Sequence, residues 1–540
     1  MSEKVAITKQ KIVAIGDALR EKRGETNEYP LDDMPQAILD IKSGGSGADE
    51  NADVVFWDYN GVALYAYSKE DFLALSEMPT LPDDTEYLTA QEWNWTLEEA
   101  KLVVEKSGFL DIGCTRTTID GKTHIFLDIT EETKSGFLKF TTNEAKTSVI
   151  EWGDGNSKTI TGSSGGQQSI EYTYADVGLY EITISGKITI PGANYSYRYG
   201  GSKIWEKVKG NVDNTNIPYK NTVVKVYTCD DTTLSTCSFA SCYKLQEINI
   251  AKKCRPSDYS FYNCNILECI VVPNSDISAC QQMCNGCYKL KVICHGEKNR
   301  GTMNTYYLNN TSIKRIFYRD TSSLGMSLSN FALANCKKLE KAYLENVATV
   351  GQNVFTGDAI LAEVTMTGNV TKIDSNAFKD CNNLKKIIAP SISIETIGSS
   401  PFYNTYFLNI DISNWKITTT PSGLFYYCYS IPEIILPETL TTINTNFAQY
   451  CYNINKIVFP ANLETIKNNA FVSSVIVELD FRNCQTIPTL SGTSVFYNLG
   501  AGYKIVVPET LYAEWIAATN WTTYKTAIYC KDADGNYYNP

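Results

Sequence analysis

The stretch Asn369-Val-Thr-Lys-Ile373-Asp-Ser-Asn-Ala377-Phe378-Lys-Asp-Cys381-Asn-Asn-Leu384-Lys-Lys-Ile387-Ile-Ala-Pro390 decides the fold of more than half of this chain. Its core is the pattern F-x-x-C-x-x-L-x-x-I, which returns at Phe239–Ile248, Phe261–Ile270 and, with Ile431 for Leu, at Phe425–Ile434. The Cys position recurs at Cys242, Cys264, Cys287, Asn310, Cys336, Asp358, Cys381, Thr405, Cys428, Cys451, Ser474 and Leu499, at intervals of 22 to 26 residues. One such unit has too few apolar side chains to bury a core of its own. Neighbouring units must therefore stack, and the period predicts a solenoid of short strands and turns. The residues that fill the Cys position are mostly small with a modest hydrogen-bonding capacity, which suits an inward-facing ladder.

Both this run and Leu463-Glu-Thr-Ile466-Lys-Asn-Asn-Ala470-Phe471 resemble BspA-type leucine-rich repeats, over roughly residues 230 to 510. The repeats around Tyr307, Leu333 and Phe402 depart from that pattern. The resemblance implies a broad display face suited to adhesion.

The chain has 540 residues and a formal net charge of −12. That length predicts several domains, and an acidic balance lacks the footprint of a nucleic-acid binder, so no nucleic-acid partner is expected. No run of 18 apolar residues and no signal-peptide pattern occurs, so neither membrane insertion nor export by the ordinary route is expected. Most of the 17 cysteines occupy or flank the repeat position and read as reduced, buried thiols. Cys280-Gln-Gln-Met-Cys284-Asn-Gly-Cys287, with Cys294 and His295, is spaced like a zinc site. The competing reading prevails, because Cys287 is a ladder residue and Cys284 replaces the repeat Phe. No metal and no cofactor are expected.

Upstream of the repeats, Ile12, Ile15 and Leu19, and then Met34, Ala37, Ile38 and Ile41, follow helical spacing in two short segments. The linker Ser43-Gly-Gly-Ser-Gly-Ala-Asp-Glu-Asn51 separates them from the rest. The paired pattern Ile7-Thr-x-x-Lys-Ile12-x-x-Ile15 and Leu31-Asp-x-Met34-x-x-Ala-Ile38 resembles the N-terminal segment of phage tail and virion proteins. So does Leu88-Thr-Ala-Gln-Glu-Trp93-Asn-Trp95. That resemblance implies attachment to other virion proteins, with Ile12, Ile15, Leu19, Met34 and Ile38 as the docking positions.

Val54–Tyr59 and Val62–Tyr67 read as strands, Ser68-Lys-Glu-Asp71 as a helix cap, and Thr96–Glu105 as a second helix. Trp93 and Trp95 read as core residues before sugar-stacking ones. Ser148-Val-Ile-Glu-Trp152-Gly-Asp154-Gly155 with Tyr172–Ile184 resembles a PKD-type β-sandwich, in which Asp154 has a turn-forming role.

The expected fold is thus mixed and multidomain: short N-terminal helices (1–42), a flexible linker (43–52), a small α+β domain (53–135), a PKD-like β-sandwich (136–199), a β-rich leucine-rich-repeat solenoid (200–510) and a helical C-terminal cap (511–540).

No catalytic motif accompanies the two histidines, His124 and His295, and no enzyme activity is expected. Residues between the Leu and Ile anchors are expected to face outward. Lys314, Arg315, Phe317, Arg319, Lys341, Tyr343, Lys385 and Lys386 would then form a contact patch for a charged glycan or wall polymer. Glu340, Glu345 and Glu363 among them fit a merely solvated face. Thirty-five tyrosines, many beside the ladder, suit either contact or stacking between repeats.

The reading as a whole is a phage virion, tail-associated adhesin that binds a bacterial surface glycan, wall polymer or protein, with a homotrimer expected from such appendages. A structural decoration or collar protein and a bacterial cell-surface BspA-like adhesin are the alternatives.

Overall fold

A pattern that brings apolar residues back every 23 or so positions must return the chain to the same depth after each turn, and a parallel β-solenoid results. The computed structural model describes residues 48–192, 204–207, 222–273, 280–297, 302–319, 325–388, 392–406 and 412–540. Phe425, Cys428, Ile431 and Ile434 of one coil are all buried. Strand Glu433–Ile435 runs parallel to Ile454–Val458, that to Ile476–Asp480, and that to Lys504–Val506, so Ile434, Ile457, Leu479 and Ile505 form one column. Arg315–Arg319, Lys341–Glu345, Glu363–Met366 and Lys386–Ile388 make an equivalent parallel sheet. Met326–Leu328, Val347–Val350, Val370–Ile373 and Ile392–Ile397 form a second one. The Phe anchors stack at about the strand spacing, with centroids 5.1 Å apart for Phe355 and Phe378 and 5.6 Å for Phe378 and Phe402.

The Cys position is a hydrogen-bond ladder. Sγ of Cys264, Cys287, Cys381, Cys428 and Cys451 lies 2.9–3.2 Å from the carbonyl oxygen of the Phe anchor one coil back. Ser474 Oγ donates to Ala448 O at 2.6 Å in the same way. The residue just before this position adopts the left-handed backbone region coil after coil, as at Asn263, Gly286, Asn335, Gly357, Asp380, Asn404 and Asn498. That region favours Asn, Asp and Gly.

It also corrects one register. Asn310 has φ 59° and is the left-handed residue, while buried Thr311 fills the ladder with its Oγ1 3.3 Å from Cys336 Sγ. Asn and Thr satisfy a small polar slot equally well, so only the backbone separates them.

The α+β unit does not stand apart from the solenoid. β1 (Val54–Trp57), β2 (Ala63–Tyr67), β3 (Leu88–Trp93) and β4 (Leu110–Thr118) form a sheet in the order β2-β1-β4-β3. Ser68 caps α1 (Lys69–Ala74) by accepting from Asp71 N, and Thr96 caps α2 (Leu97–Ser107) by accepting from Glu99 N. Val54 and Phe56 meet Phe72, Val103 and Val104 of these helices. Val55 and Trp57, on the opposite face, meet Cys269, Val271, Val292 and Cys294 of the solenoid. Both tryptophans singled out in the sequence are buried, and Trp93 Nε1 donates to Pro79 O at 2.9 Å.

The sandwich begins earlier than the sequence suggests. β5 (Thr123–Ile129), assigned above to the α+β unit, pairs with β10 (Gly178–Ile184) and sends Ile125, Leu127 and Ile129 into the sandwich core. β6 (Ser135–Thr142), β7 (Thr147–Glu151), β8 (Ser157–Thr161), β9 (Gly166–Thr173), β11 (Ile188–Ile190) and β12 (Trp205–Lys207) complete the two sheets. Asp154 shapes its turn by accepting from Asn156 N at 3.0 Å and from the Tyr172 hydroxyl at 2.5 Å.

Strand pairing joins the sandwich to the solenoid. β13 (Val223–Tyr227) is antiparallel to β5 and parallel to Glu247–Asn249, and β14 (Thr232–Leu234) is parallel to β11. One hydrophobic core extends from Ile125 to Cys530. The sandwich therefore closes the first coil, which would otherwise expose its apolar end.

At the other end the closure is mixed rather than helical. After the helix Tyr512–Ala517 and the 3₁₀ turn Trp521–Ala527, strand Ile528–Lys531 extends the long sheet beside Lys504–Val506. Trp515 and Trp521 are fully buried against Phe481, and Trp521 Nε1 donates to Pro488 O at 2.8 Å.

Candidate binding surfaces

The basic and aromatic patch read from the sequence divides in two. Arg315 forks onto Asp111 of β4, with Nε 3.0 Å from Oδ2 and Nη2 2.7 Å from Oδ1, and its Nη1 donates to Ala52 O at 2.6 Å. Trp57 Nε1 adds a donor to Asp111 Oδ1 at 2.8 Å. The two charged side chains are only 16 % and 12 % exposed. Burial acts to lower the Arg315 pKa, but the Asp111 carboxylate outweighs it and the net shift is upward.

Arg319 bridges Glu99 of α2 at 3.0 Å and Glu345 of the next coil at 2.9 Å, and it lies over the Trp95 ring at 5.3 Å. Phe317 and Tyr343 are buried in the core of the α+β unit. Arg315, Phe317, Arg319 and Tyr343 therefore face the chain's own first domain rather than solvent. Their outward direction holds, but the α+β sheet occupies the space in front of them. Lys314, whose Nζ donates to Asn51 Oδ1 at 2.8 Å, and Lys341, Lys385 and Lys386 are exposed.

Asn94 locks this contact. Fully buried, it donates to Val272 O at 3.1 Å and Cys294 O at 3.0 Å and accepts from Gly113 N at 2.9 Å. At Gly113 the strand lies so close to the side chains of the solenoid that a Cβ would lie 2.5 Å from Val271 Cγ1. Trp95 Nε1 donates to His295 O at 2.7 Å. The sequence carried one sign of this partner: Val54-Val-Phe-Trp57 is apolar at every position, as a strand buried on both faces must be.

Beyond the covered coils the outer strand face, carried by two successive sheets, is not covered by another domain among the described residues. Glu363, Thr365 and Lys386 face outward on neighbouring strands, followed further on by Glu433 and exposed Ile435. At its far end Lys456 bridges Asp480 at 2.9 Å, Lys531 bridges Glu478 at 2.8 Å, and the Tyr537 hydroxyl donates to Glu478 at 2.6 Å. Burial acts to raise Asp480, but hydrogen bonds from Arg482 and Lys456 prevail and hold it down at about 2. Carboxylates pinned in the ionised form by cations serve as charges, not as proton donors.

The remaining sites of the sequence reading have structural places. Cys287 belongs to the ladder, Cys284 fills the Phe position and Cys280 Sγ lies 3.4 Å from Pro256 O. His124 sits between Asp120 at 2.9 Å and Glu181 at 2.5 Å. Buried His295 is kept neutral by desolvation, with its pKa lowered to about 3. Tyrosines 403, 426, 427, 429, 450 and 452 gather at one turn edge. Ile12, Ile15, Leu19, Met34 and Ile38 lie outside the described residues.

A family model for the BspA type leucine rich repeat region matches in six copies, over residues 219–340, 257–381 and 348–478. These residues are BspA-type leucine-rich repeats. The solved structures that the chain resembles include a leucine-rich repeat protein from Bacteroides ovatus, at 16 % identity over 58 % of this chain and 100 % of that one, with a TM-score of 0.36. A leucine rich repeat protein from T. pallidum matches at 17 % identity over 36 % of this chain and 85 % of that one, TM-score 0.23. A leucine rich cell surface protein from Faecalibacterium prausnitzii matches at 14 % identity over 59 % and 86 %, TM-score 0.26. No curated protein matches.

Proposed function

We propose that the BspA-type repeats are the recognition part of an adhesin, and that the chain is a phage tail-associated protein whose first 42 residues dock to other virion proteins. The observation that carries the adhesin reading is the uneven covering of the solenoid. Its first coils are sealed by the sandwich and the α+β unit and its last coil by the C-terminal tryptophans, while the middle coils keep an open sheet face and an open turn edge. Among the described residues no other domain lies over those middle coils, which leaves their side chains available to a partner. Many copies on one particle add weak contacts through effective concentration.

The virion assignment rests on the resemblance of the first 135 residues to phage tail proteins. The repeats themselves favour a second reading, a bacterial cell-surface BspA-like adhesin. Both give the solenoid the same task and neither requires enzyme activity. No helix among the described residues is long and apolar enough to cross a membrane.

The test is binding of the labelled full-length chain to bacterial cells, together with labelling of phage particles by antibodies against residues 1–42. Saturable cell binding that blocks particle adsorption supports the tail adhesin. Cell binding with unlabelled particles supports the bacterial adhesin. Labelled particles without cell binding support a decoration or collar protein and remove the adhesin reading.

A further inference from the structure

Three successive coils place an unusual density of aromatic rings on one turn edge. Tyr403, Tyr426, Tyr427, Tyr429, Tyr450 and Tyr452 form a continuous cluster, with centroids 5.3 Å apart for Tyr403 and Tyr426, 4.7 Å for Tyr427 and Tyr450, and 5.6 Å for Tyr429 and Tyr452. Tyr452 is 47 % exposed and the other five are half-buried. Rigid amphipathic rings of this kind are favoured where a protein makes contact, since they offer area at low entropic cost.

Two further observations separate this edge from ordinary stacking. Tyr427 and Tyr450 occupy the left-handed position before the ladder residue, with φ 61° and 60°. Other coils fill that position with Asn, Gly, Ser or Asp, as at Asn263, Gly286, Asn335, Gly357, Asp380 and Ser473. A bulky ring is strained in that region, as it is where Tyr259, Tyr306 and Phe331 adopt it elsewhere in the solenoid, but directly before the ladder residue these two coils alone carry a ring among the described residues. A buried core does not need these rings, because coils without them stack equally well.

The second observation is charge. From Tyr403 to Tyr406, from Tyr426 to Pro432 and from Ala448 to Asn455 no side chain is ionised, although one residue in five of the chain is Asp, Glu, Lys or Arg. The polar groups interleaved with the rings are Asn404, Gln449 and Asn453. Two charges lie at the margin: Lys379, 5.2 Å over the Tyr403 ring, and Asp380, whose Oδ1 accepts from Asn404 Nδ2 at 2.8 Å. A phosphate-bearing or acidic ligand needs cations that this edge lacks. Aromatic faces with amide groups suit a ligand that offers apolar C–H faces and hydroxyls and no charge.

We propose that this tyrosine edge, rather than the basic strand face, is a binding site for an uncharged polysaccharide, its sugar rings lying on Tyr427, Tyr450 and their neighbours and its hydroxyls meeting the flanking amides. The proposal names the ligand class of the adhesin reading above and rests on it.

The test is affinity electrophoresis of the full-length chain through gels containing mannan, dextran, laminarin or xylan, with polygalacturonate as the anionic comparator. Retardation by at least one neutral polymer is expected. The double variant Tyr427→Asn/Tyr450→Asn is expected to weaken it at least tenfold while melting no lower than the parent, because asparagine is the residue other coils use there. The proposal is overturned by retardation in polygalacturonate alone, by no retardation in any neutral gel, or by equal retardation of the double variant. It is also overturned if the variant only dissociates an oligomer, which would make the edge a contact between copies. Undiminished cell binding by the double variant removes this site and leaves the adhesin reading standing, whereas absence of cell binding by the parent removes that reading itself.

Discussion

Asp358 is an acid in the ladder, at the position where Cys, Ser or Thr stands in most other coils. It is fully buried, its Oδ1 accepts from Cys336 N at 2.7 Å, and its Oδ2 has no hydrogen-bond partner. Burial pushes its pKa well above the ordinary carboxylate value of 3.8, and the Cys336 N–H offsets only part of that rise. The folded chain therefore holds a proton there that the unfolded chain gives up. A raised folded pKa means that the associated stability is complete below about pH 4 and is lost as pH rises toward the folded value.

Each pH unit in that window corresponds to about 1.4 kcal/mol for one group. Asp358→Asn keeps the acceptor for Cys336 N and removes the titration. Between about pH 5 and about pH 7 the parent should lose stability relative to the variant, at that rate for as long as the folded carboxyl keeps its proton. The assay is urea unfolding of both proteins at several pH values, read by circular dichroism of the sheet and compared as a difference. Acids with depressed pKa values such as Asp480 shift both proteins equally and cancel, because they lie at separate sites. A difference that stays flat across this range would falsify the burial argument, and one that grows in favour of the parent would reverse its sign.

The clamp between the first domain and the solenoid makes a second prediction. Asp111→Ala leaves the Arg315 guanidinium buried without its partner and should cost about 3–5 kcal/mol, whereas adding Arg315→Met should recover part of that loss in a double-mutant cycle of thermal unfolding. All 17 cysteines are buried, and burial raises the Cys254, Cys428 and Cys484 thiols to about 12. Ellman's reagent should accordingly find almost no reactive thiol in the native chain and the full complement in guanidinium; rapid native labelling refutes the buried ladder. Trp521→Ala should cost about 3–5 kcal/mol. Because a solenoid is nearly one-dimensional, hydrogen exchange should rise in the last coils and stay unchanged in β5–β12.

The solenoid was legible because its cause is local. A repeat that fixes which side chains point inward, turn after turn, leaves one way to bury them, and the Phe, Leu and Ile anchors recur at fixed offsets. The cap at Ser68 and the turn at Asp154 were legible for the same reason, since each depends on neighbours within a few residues. The slip from Asn310 to Thr311 marks the limit of that method: the two residues satisfy the same polar pattern and differ only in backbone region.

The fate of Arg315, Phe317, Arg319 and Tyr343 lay beyond it altogether. Pattern gave their direction correctly, yet whether solvent or another domain waits in that direction depends on residues some 200 positions earlier, as in the pair Arg315–Asp111. Periodicity by itself settled that the repeats stack into a solenoid, because burial of a repeated apolar face is a nearest-neighbour problem, and the resemblance of their motifs added the BspA type that the family model matches. Only the tertiary structure decided which faces remain to meet a partner, because covering a surface is a long-range choice among segments that no local pattern records.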